Sequence, residues 1–330
     1  MLGVFLDRDT VDHGDMDLSV LEAQLPEWHF YGITSATELH QRIANASVII
    51  SNKVILDDAA LAAAPNLRLI CIAATGTNSV DLEAATRHGI AVCNVRGYAT
   101  PSVVQHTFAV MLSLSIRLGK YRRAVMRGEW QQSPHFSMLD YPIHELAGKT
   151  LGIVGYGELG KSVAKVAEAF GMQVLISQRA GGNHQNDSST DSVQTGVECH
   201  RLPLHTLLPL VDVLSLHCPL TSETRNLISE KELALMKPTA LLINTARGGI
   251  VDEVALADTL RDHRLGGAAV DVLTTEPPRG GNPLLADDIP NLIITPHIAW
   301  ASVEARQRLL EQIGHNIAAF LNGTQRNRVN

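Results

Sequence analysis

Short apolar runs separated by polar, helix-compatible stretches fill the first hundred positions. Leu2 to Leu6, Ala46 to Ser51, Leu67 to Ala73 and Ile90 to Asn94 are rich in aliphatic residues and too short for buried helices, which predicts strands. Asp57 to Ala64 and Val80 to His88 read as helices between the later strands, and that alternation predicts a parallel sheet. The texture then changes. Thr100-Pro101 opens a long helix, Ser102 to about Leu118, whose Val103, Val104, Phe108, Val110, Met111, Leu112, Leu114 and Ile116 cover more than one face. Such a helix needs burial on several sides, between domains or against a second subunit.

A polar connection with aromatics, Trp130 to Tyr141, leads into a second alternation from Lys149 to about Pro296. Its strands are expected at Thr150 to Val154, Gln173 to Ser177, Val213 to His217, Ala240 to Asn244, Ala268 to Val272 and Leu292 to Thr295. Gly181 to Glu198, rich in Gly, Asn, Ser, Thr and Asp, is expected to be a mobile surface loop. The length of 330 residues agrees with two α/β domains, each with its own core.

Composition removes several function classes. The 34 acidic and 27 basic side chains leave a charge of -7, so the overall field repels a phosphate backbone and nucleic acid is not expected as a partner. No apolar run approaches the ~18 residues of a membrane span. The start, MLGVFLDRD, lacks the basic segment of a secretory signal, and a cytoplasmic protein is expected. Cys71, Cys93, Cys199 and Cys218 form no CxxC pair and have no nearby histidine ligands, so neither a disulfide framework nor a metal site is expected.

Gly155-Tyr156-Gly157-Glu158-Leu159-Gly160 sits between the strand TLGIV and a helix, Lys161 to Phe170. In that context GxGxxG has a mechanism. Gly155 permits the tight turn, Gly157 lets a pyrophosphate approach the backbone, Gly160 lets helix and strand pack closely, and the helix N-terminus attracts the phosphates. The same residues, GYGELGKS, also satisfy GxxxxGK[ST]. A P-loop would place Lys161 on the β- and γ-phosphates and Ser162 on magnesium, with Asp212 or Asp271 as second metal ligand, and would leave Gly157 idle.

Five further segments resemble the D-isomer-specific 2-hydroxyacid dehydrogenase family over essentially the whole chain: ELAGKTLGIVGYGELG, HCPLTSETRNLI, LLINTARGGIVDEVAL, AAVDVLTTEPP and ITPHIAW. SNKVIL, ATGTNSVDLEAATRHGIAVCN and RGEW are most similar to its glycerate dehydrogenase / hydroxypyruvate reductase branch. The resemblance implies an α/β fold of two Rossmann-like parallel-sheet domains. An NAD(P)-binding domain (101–298) would be inserted into a discontinuous, flavodoxin-like substrate domain (1–100 and 299–330), with the active site in the cleft. It also implies a homodimer joined largely through the cofactor domains, and a small 2-oxo or 2-hydroxy acid as substrate.

Arg247, Glu276 and His297 each adjoin a predicted strand end, where ligands gather in open parallel sheets. An arginine can hold a 2-oxo acid carboxylate, a histidine can protonate its carbonyl oxygen while hydride arrives, and a carboxylate can fix the imidazole tautomer and favour its charged form. Each has a plainer reading: a capping arginine, a solvated carboxylate before Pro277, a core histidine bonded to a carbonyl. The resemblance assigns the catalytic roles to these three. It also matches Thr75 and Gly76 to a substrate-binding turn, with Asn52 and Lys53 as further candidates, and Thr107, Leu159, Cys218, Pro219, Thr245, Ala246 and Asp271 to cofactor-lining positions. His106 and His315 read as structural.

One position departs from the pattern. NAD-specific relatives place an Asp after the second Rossmann strand to bind the ribose hydroxyls, and this chain has Gln178 and Arg179 there. Arg179 could pair with a 2'-phosphate, a contact worth roughly 1.5–3 kcal/mol. The alternative is Gln178 on an NAD ribose with Arg179 in solvent, and the missing carboxylate tips the expectation toward NADP(H). The expected activity is hydroxypyruvate or glyoxylate reduction and, in reverse, glycerate oxidation. Its rivals are a P-loop hydrolase and a non-catalytic, cofactor-sensing regulator on the same scaffold.

Overall fold

A computed structural model describes residues 1–179 and 201–330; the expected loop Gly181 to Glu198 lies outside the described residues. The chain divides into two compact units, Met1–Ser102 with Trp300–Asn330, and Val103–Ala299.

The first unit is built on five parallel strands, β1 (Leu2–Phe5), β2 (Glu27–Phe30), β3 (Val48–Ser51), β4 (Leu69–Ile72) and β5 (Ala91–Cys93), in the order β2-β1-β3-β4-β5. Strands β3 and β4 are buried throughout, which is why VIIS and LICI are continuous apolar runs. Successive side chains face opposite sides. Val4, Ile49, Ile70 and Val92 pack with Ile43, Leu61 and Ala84 on one face, and Phe5, Ile50 and Cys71 meet Leu309, Leu310, Ile313 and Ile317 on the other. The last four belong to the helix Val303–Leu321, so the chain's end completes the sheet on which it began.

Strand β2 and the helix Ala36–Ile43 are absent from the pattern-based expectation. EWHF is an edge strand with alternating partial exposure and no apolar run. The helix did carry a signal, the capping box of Ser35 and Glu38.

Among the described residues the second unit holds seven parallel strands: β6 (Thr150–Val154), β7 (Gln173–Ser177), β8 (Arg201–Leu202), β9 (Val213–Leu216), β10 (Leu241–Asn244), β11 (Gly267–Val270) and β12 (Leu292–Ile294). Their order is β12-β11-β10-β9-β6-β7-β8, so the winding reverses between β6 and β9. The long helix is shorter than expected. It runs from Thr100 to Ser115, Arg117 takes a left-handed φ of 54°, and a separate helix covers Leu118–Met126. Val104, Phe108, Met111 and Leu114 are buried within this unit, against Leu151, Ile153, Val213 and Ile243. Apolar exposure lies further on instead: Met126 is 73%, Phe136 91% and Leu139 86% exposed.

Candidate active site

Open parallel sheets bind ligands where the winding reverses, beyond the carboxyl ends of the strands. In the second unit that point lies between the turn after β6 and the turn after β9. Gly155 adopts φ +93°, and a Cβ there would sit 2.6 Å from the peptide of His217 and Cys218. A Cβ on Gly160 would stand 2.2 Å from the carbonyl oxygen of Gly155. Gly157 caps the helix Glu158–Ala169 in extended conformation without a side-chain bond, and nothing lies within 4 Å of its would-be Cβ. Two of the glycines are thus needed for packing and the third leaves the helix N-terminus open, as a pyrophosphate requires.

The P-loop alternative finds no support. Ser162 donates to the Glu158 carbonyl within the helix, and Asp212 accepts from Thr150 N–H and Lys237, at the opposite end of the strands from the glycine turn.

Other expected cofactor positions line the same sheet end. The buried hydroxyls of Thr107 and Thr245 are 3.2 Å apart, Ala246 is buried, and Asn244 ties the turn by accepting from Ala246 N–H and donating to Arg247 O. Cys218 is half-buried, and burial pushes its thiol up, away from the thiolate a nucleophile would need. Beyond β7, Gln178 N–H donates to Leu202 O and Arg179 is exposed. Glu223 is held below the usual carboxylate range by the Thr221 hydroxyl first, then by its own backbone and Ser222, with a smaller contribution from the charge of Arg179. Arg179 therefore has a carboxylate in its field.

Glu276 and His297 meet directly. Nδ1 of His297 is 2.6 Å from Oε2 of Glu276, with both side chains about one-third exposed, and Oε1 accepts the N–H of Leu273 at 2.8 Å. Arg247 sits in an adjoining turn, its Nη1 donating to Ala246 O at 2.7 Å. The two loops interlock at Gly248, where a Cβ would fall 1.9 Å from the carbonyl oxygen of Leu273.

The substrate-turn candidates belong to the first unit. The Thr75 hydroxyl donates to Val95 O, and Asn94 Nδ2 donates to Thr75 O. Lys53 is exposed after β3, in a turn whose N–H groups at Asn52, Lys53 and Val54 all point at the Asp7 carboxylate. Burial outweighs those donors and pushes Asp7 up. The reversal point of this sheet, between β1 and β3, is thus occupied by the protein's own carboxylate, which leaves the second unit as the one with an open glycine turn. Asp7 carried no motif that would have singled it out.

Among the described residues no cluster of three or more His, Cys, Asp or Glu could hold a metal, and no helix is long and apolar enough to cross a membrane.

Fold and site together define a nicotinamide-dependent oxidoreductase. The 2-hydroxyacid dehydrogenase NAD-binding domain matches residues 108–299. The glycerate dehydrogenase of Methylorubrum extorquens is 44% identical over 99% of this chain and 98% of its own length, and the hydroxypyruvate reductase of Blautia hydrogenotrophica is 37% identical over 99% of each. A Thermus thermophilus protein superposes with a TM-score of 0.84 at 33% identity, covering both chains fully. The NADPH-dependent glyoxylate/hydroxypyruvate reductase of Sinorhizobium meliloti, solved with NADP and malonate, gives 0.80 at 25% identity over 99% of this chain and 96% of its own. The chain belongs to the D-isomer specific 2-hydroxyacid dehydrogenase family.

Proposed function

We propose that this enzyme reduces short 2-oxo acids, hydroxypyruvate and glyoxylate foremost, and oxidises glycerate in reverse. The observation that carries this reading is the Glu276–His297 pair. Because Oε1 of Glu276 is taken by Leu273 N–H, Oε2 is left to accept from Nδ1, and the Nε2 edge of the imidazole remains for substrate. Protonated His297 gives the Nε2 proton to the carbonyl oxygen, and neutral His297 takes it back from the hydroxy acid. Arg247 holds the substrate carboxylate through the guanidinium donors not used on Ala246. The bound nicotinamide supplies the hydride. Lys53, Thr75 and Gly76 orient the acid, and the glycine turn after β6 holds the cofactor.

The cofactor is NADP(H) in preference to NAD(H), on the strength of Arg179 and the missing acidic residue after β7. The enzyme works as a cytoplasmic homodimer. Support for the dimer comes from the exposed apolar side chains of Met126, Phe136 and Leu139 on one stretch of chain; support for the compartment comes from the cofactor, a cellular metabolite, and from free Cys71, Cys93 and Cys218. Steady-state rates with hydroxypyruvate, glyoxylate, pyruvate and a bulky 2-oxo acid, each with NADPH and NADH, test the reading. The two short polar acids with NADPH should give the highest kcat/KM, and a preference for the bulky acid would overturn it.

A further inference from the structure

Three segments far apart in sequence meet at Asp271, whose side chain is only 2% exposed. Its Oδ1 accepts the Thr295 hydroxyl at 2.5 Å and the Ile298 N–H at 2.9 Å, and its Oδ2 accepts the Ala299 N–H at 2.9 Å. Its carbonyl oxygen accepts the N–H of His297 at 2.8 Å. His297 is thereby gripped on both sides of its own peptide, with φ +56°, a left-handed conformation that a side-chain-bearing residue keeps only when its surroundings impose it.

A fourth group completes the arrangement. From the helix Thr100–Ser115, His106 places Nε2 at 3.0 Å from the Thr295 hydroxyl oxygen and 3.7 Å from Asp271 Oδ1. Valence fixes the direction of each bond. A carboxylate only accepts, so Thr295 spends its single proton on Asp271, and its oxygen must then receive the proton of His106 Nε2. The order runs from His106 through Thr295 to Asp271 and ends on the amides that follow His297.

We infer that His106 is a positioning residue for His297, acting through Thr295 and Asp271. Without its donor the Thr295 hydroxyl is free to rotate, Asp271 Oδ1 loses its shortest bond, and the grip on Ile298 and Ala299 loosens. The catalytic consequence rests on the proposed role of His297 as proton donor; the grip itself does not.

The test combines hydrogen exchange of full-length protein, read on peptides covering 296–302, with steady-state kinetics. His106→Ala should speed exchange of the Ile298 and Ala299 amides by about 10-fold or more, and should lower kcat about 10-fold with oxo-acid KM and cofactor Kd nearly unchanged. His106→Gln, whose side-chain amide can still donate, should restore both. Thr295→Val keeps the volume, removes the relay, and should reproduce the Ala variant. Exchange unchanged in a folded Ala variant, or equal losses in Ala and Gln, would overturn the inference. The predicted exchange pattern in an enzyme that turns over no 2-oxo acid would uphold the positioning and remove the reductase reading instead.

Discussion

Oε2 of Glu276 lies 2.6 Å from Nδ1 of His297. The other oxygen of the carboxylate is bonded to Leu273 N–H, and Leu273 in turn packs its carbonyl against Gly248 in the arginine turn. Carboxylate, imidazole and guanidinium thus ride on two interlocked loops after β10 and β11 and on the segment after β12, so their spacing is set by backbone contact and not by long side chains alone.

If Arg247 forms a bidentate pair with the substrate carboxylate, lysine cannot replace it, because a point charge lacks the planar fork. Arg247→Lys should lose at least ~100-fold in kcat/KM, on the order of 3 kcal/mol, with cofactor Kd hardly moved. Turnover near wild type in this variant would remove the arginine from the site.

The proposed preference for NADP(H) rests on Arg179, with Glu223 in its field. Arg179→Ala should weaken NADPH by about 10- to 100-fold and leave NADH nearly unchanged. Glu223→Gln removes a negative charge from the field of Arg179 and should tighten NADPH a few-fold. Titrations of nicotinamide fluorescence read both, and equal losses for the two cofactors in Arg179→Ala would mean that the arginine only supports the loop.

His217 should make native stability fall in acid. The residue is half-buried, but its Nδ1 is shut away from solvent without a partner, and burial pushes the imidazole down to about 4. As pH falls from about 6.5 toward 4 the unfolded chain takes up a proton that the native state refuses, so native stability falls across that window. The loss is on the order of 3 kcal/mol at about 1.4 per unit. Denaturant midpoints at pH 7 and pH 4.5 should therefore differ more in wild type than in His217→Gln, which keeps a polar partner for Ser215; equal differences would place the acid sensitivity elsewhere.

A dimer held by the exposed apolar segment should dissociate when that segment is charged. Phe136→Glu with Leu139→Glu should convert the protein to monomer in light scattering, whereas an unchanged mass would move the interface to another face.

The sequence carries the second unit more legibly than the first for a physical reason. Fully buried parallel strands such as Val213–Leu216 and Leu241–Asn244 write themselves as apolar runs, and Gly155 and Gly160 answer to backbone contacts that admit nothing larger. Edge strands such as Glu27–Phe30 and Arg201–Leu202 bury too little to leave a pattern. The break falls on Arg117 itself and not on Gly119, two residues further on, and the guanidinium reaches the carbonyl of Gly266, a tertiary contact. Likewise Arg247, Glu276 and His297 are legible through motif and resemblance, whereas His106 meets Thr295 only because two remote segments fold together.

The most direct measurement is reduction of hydroxypyruvate by wild type and His297→Gln at saturating cofactor, with cofactor Kd measured in parallel. If His297 delivers the proton, the variant loses roughly 10²- to 10⁴-fold in kcat while cofactor Kd stays within about 2-fold. A variant that retains kcat within a few-fold of wild type would contradict the account at its centre.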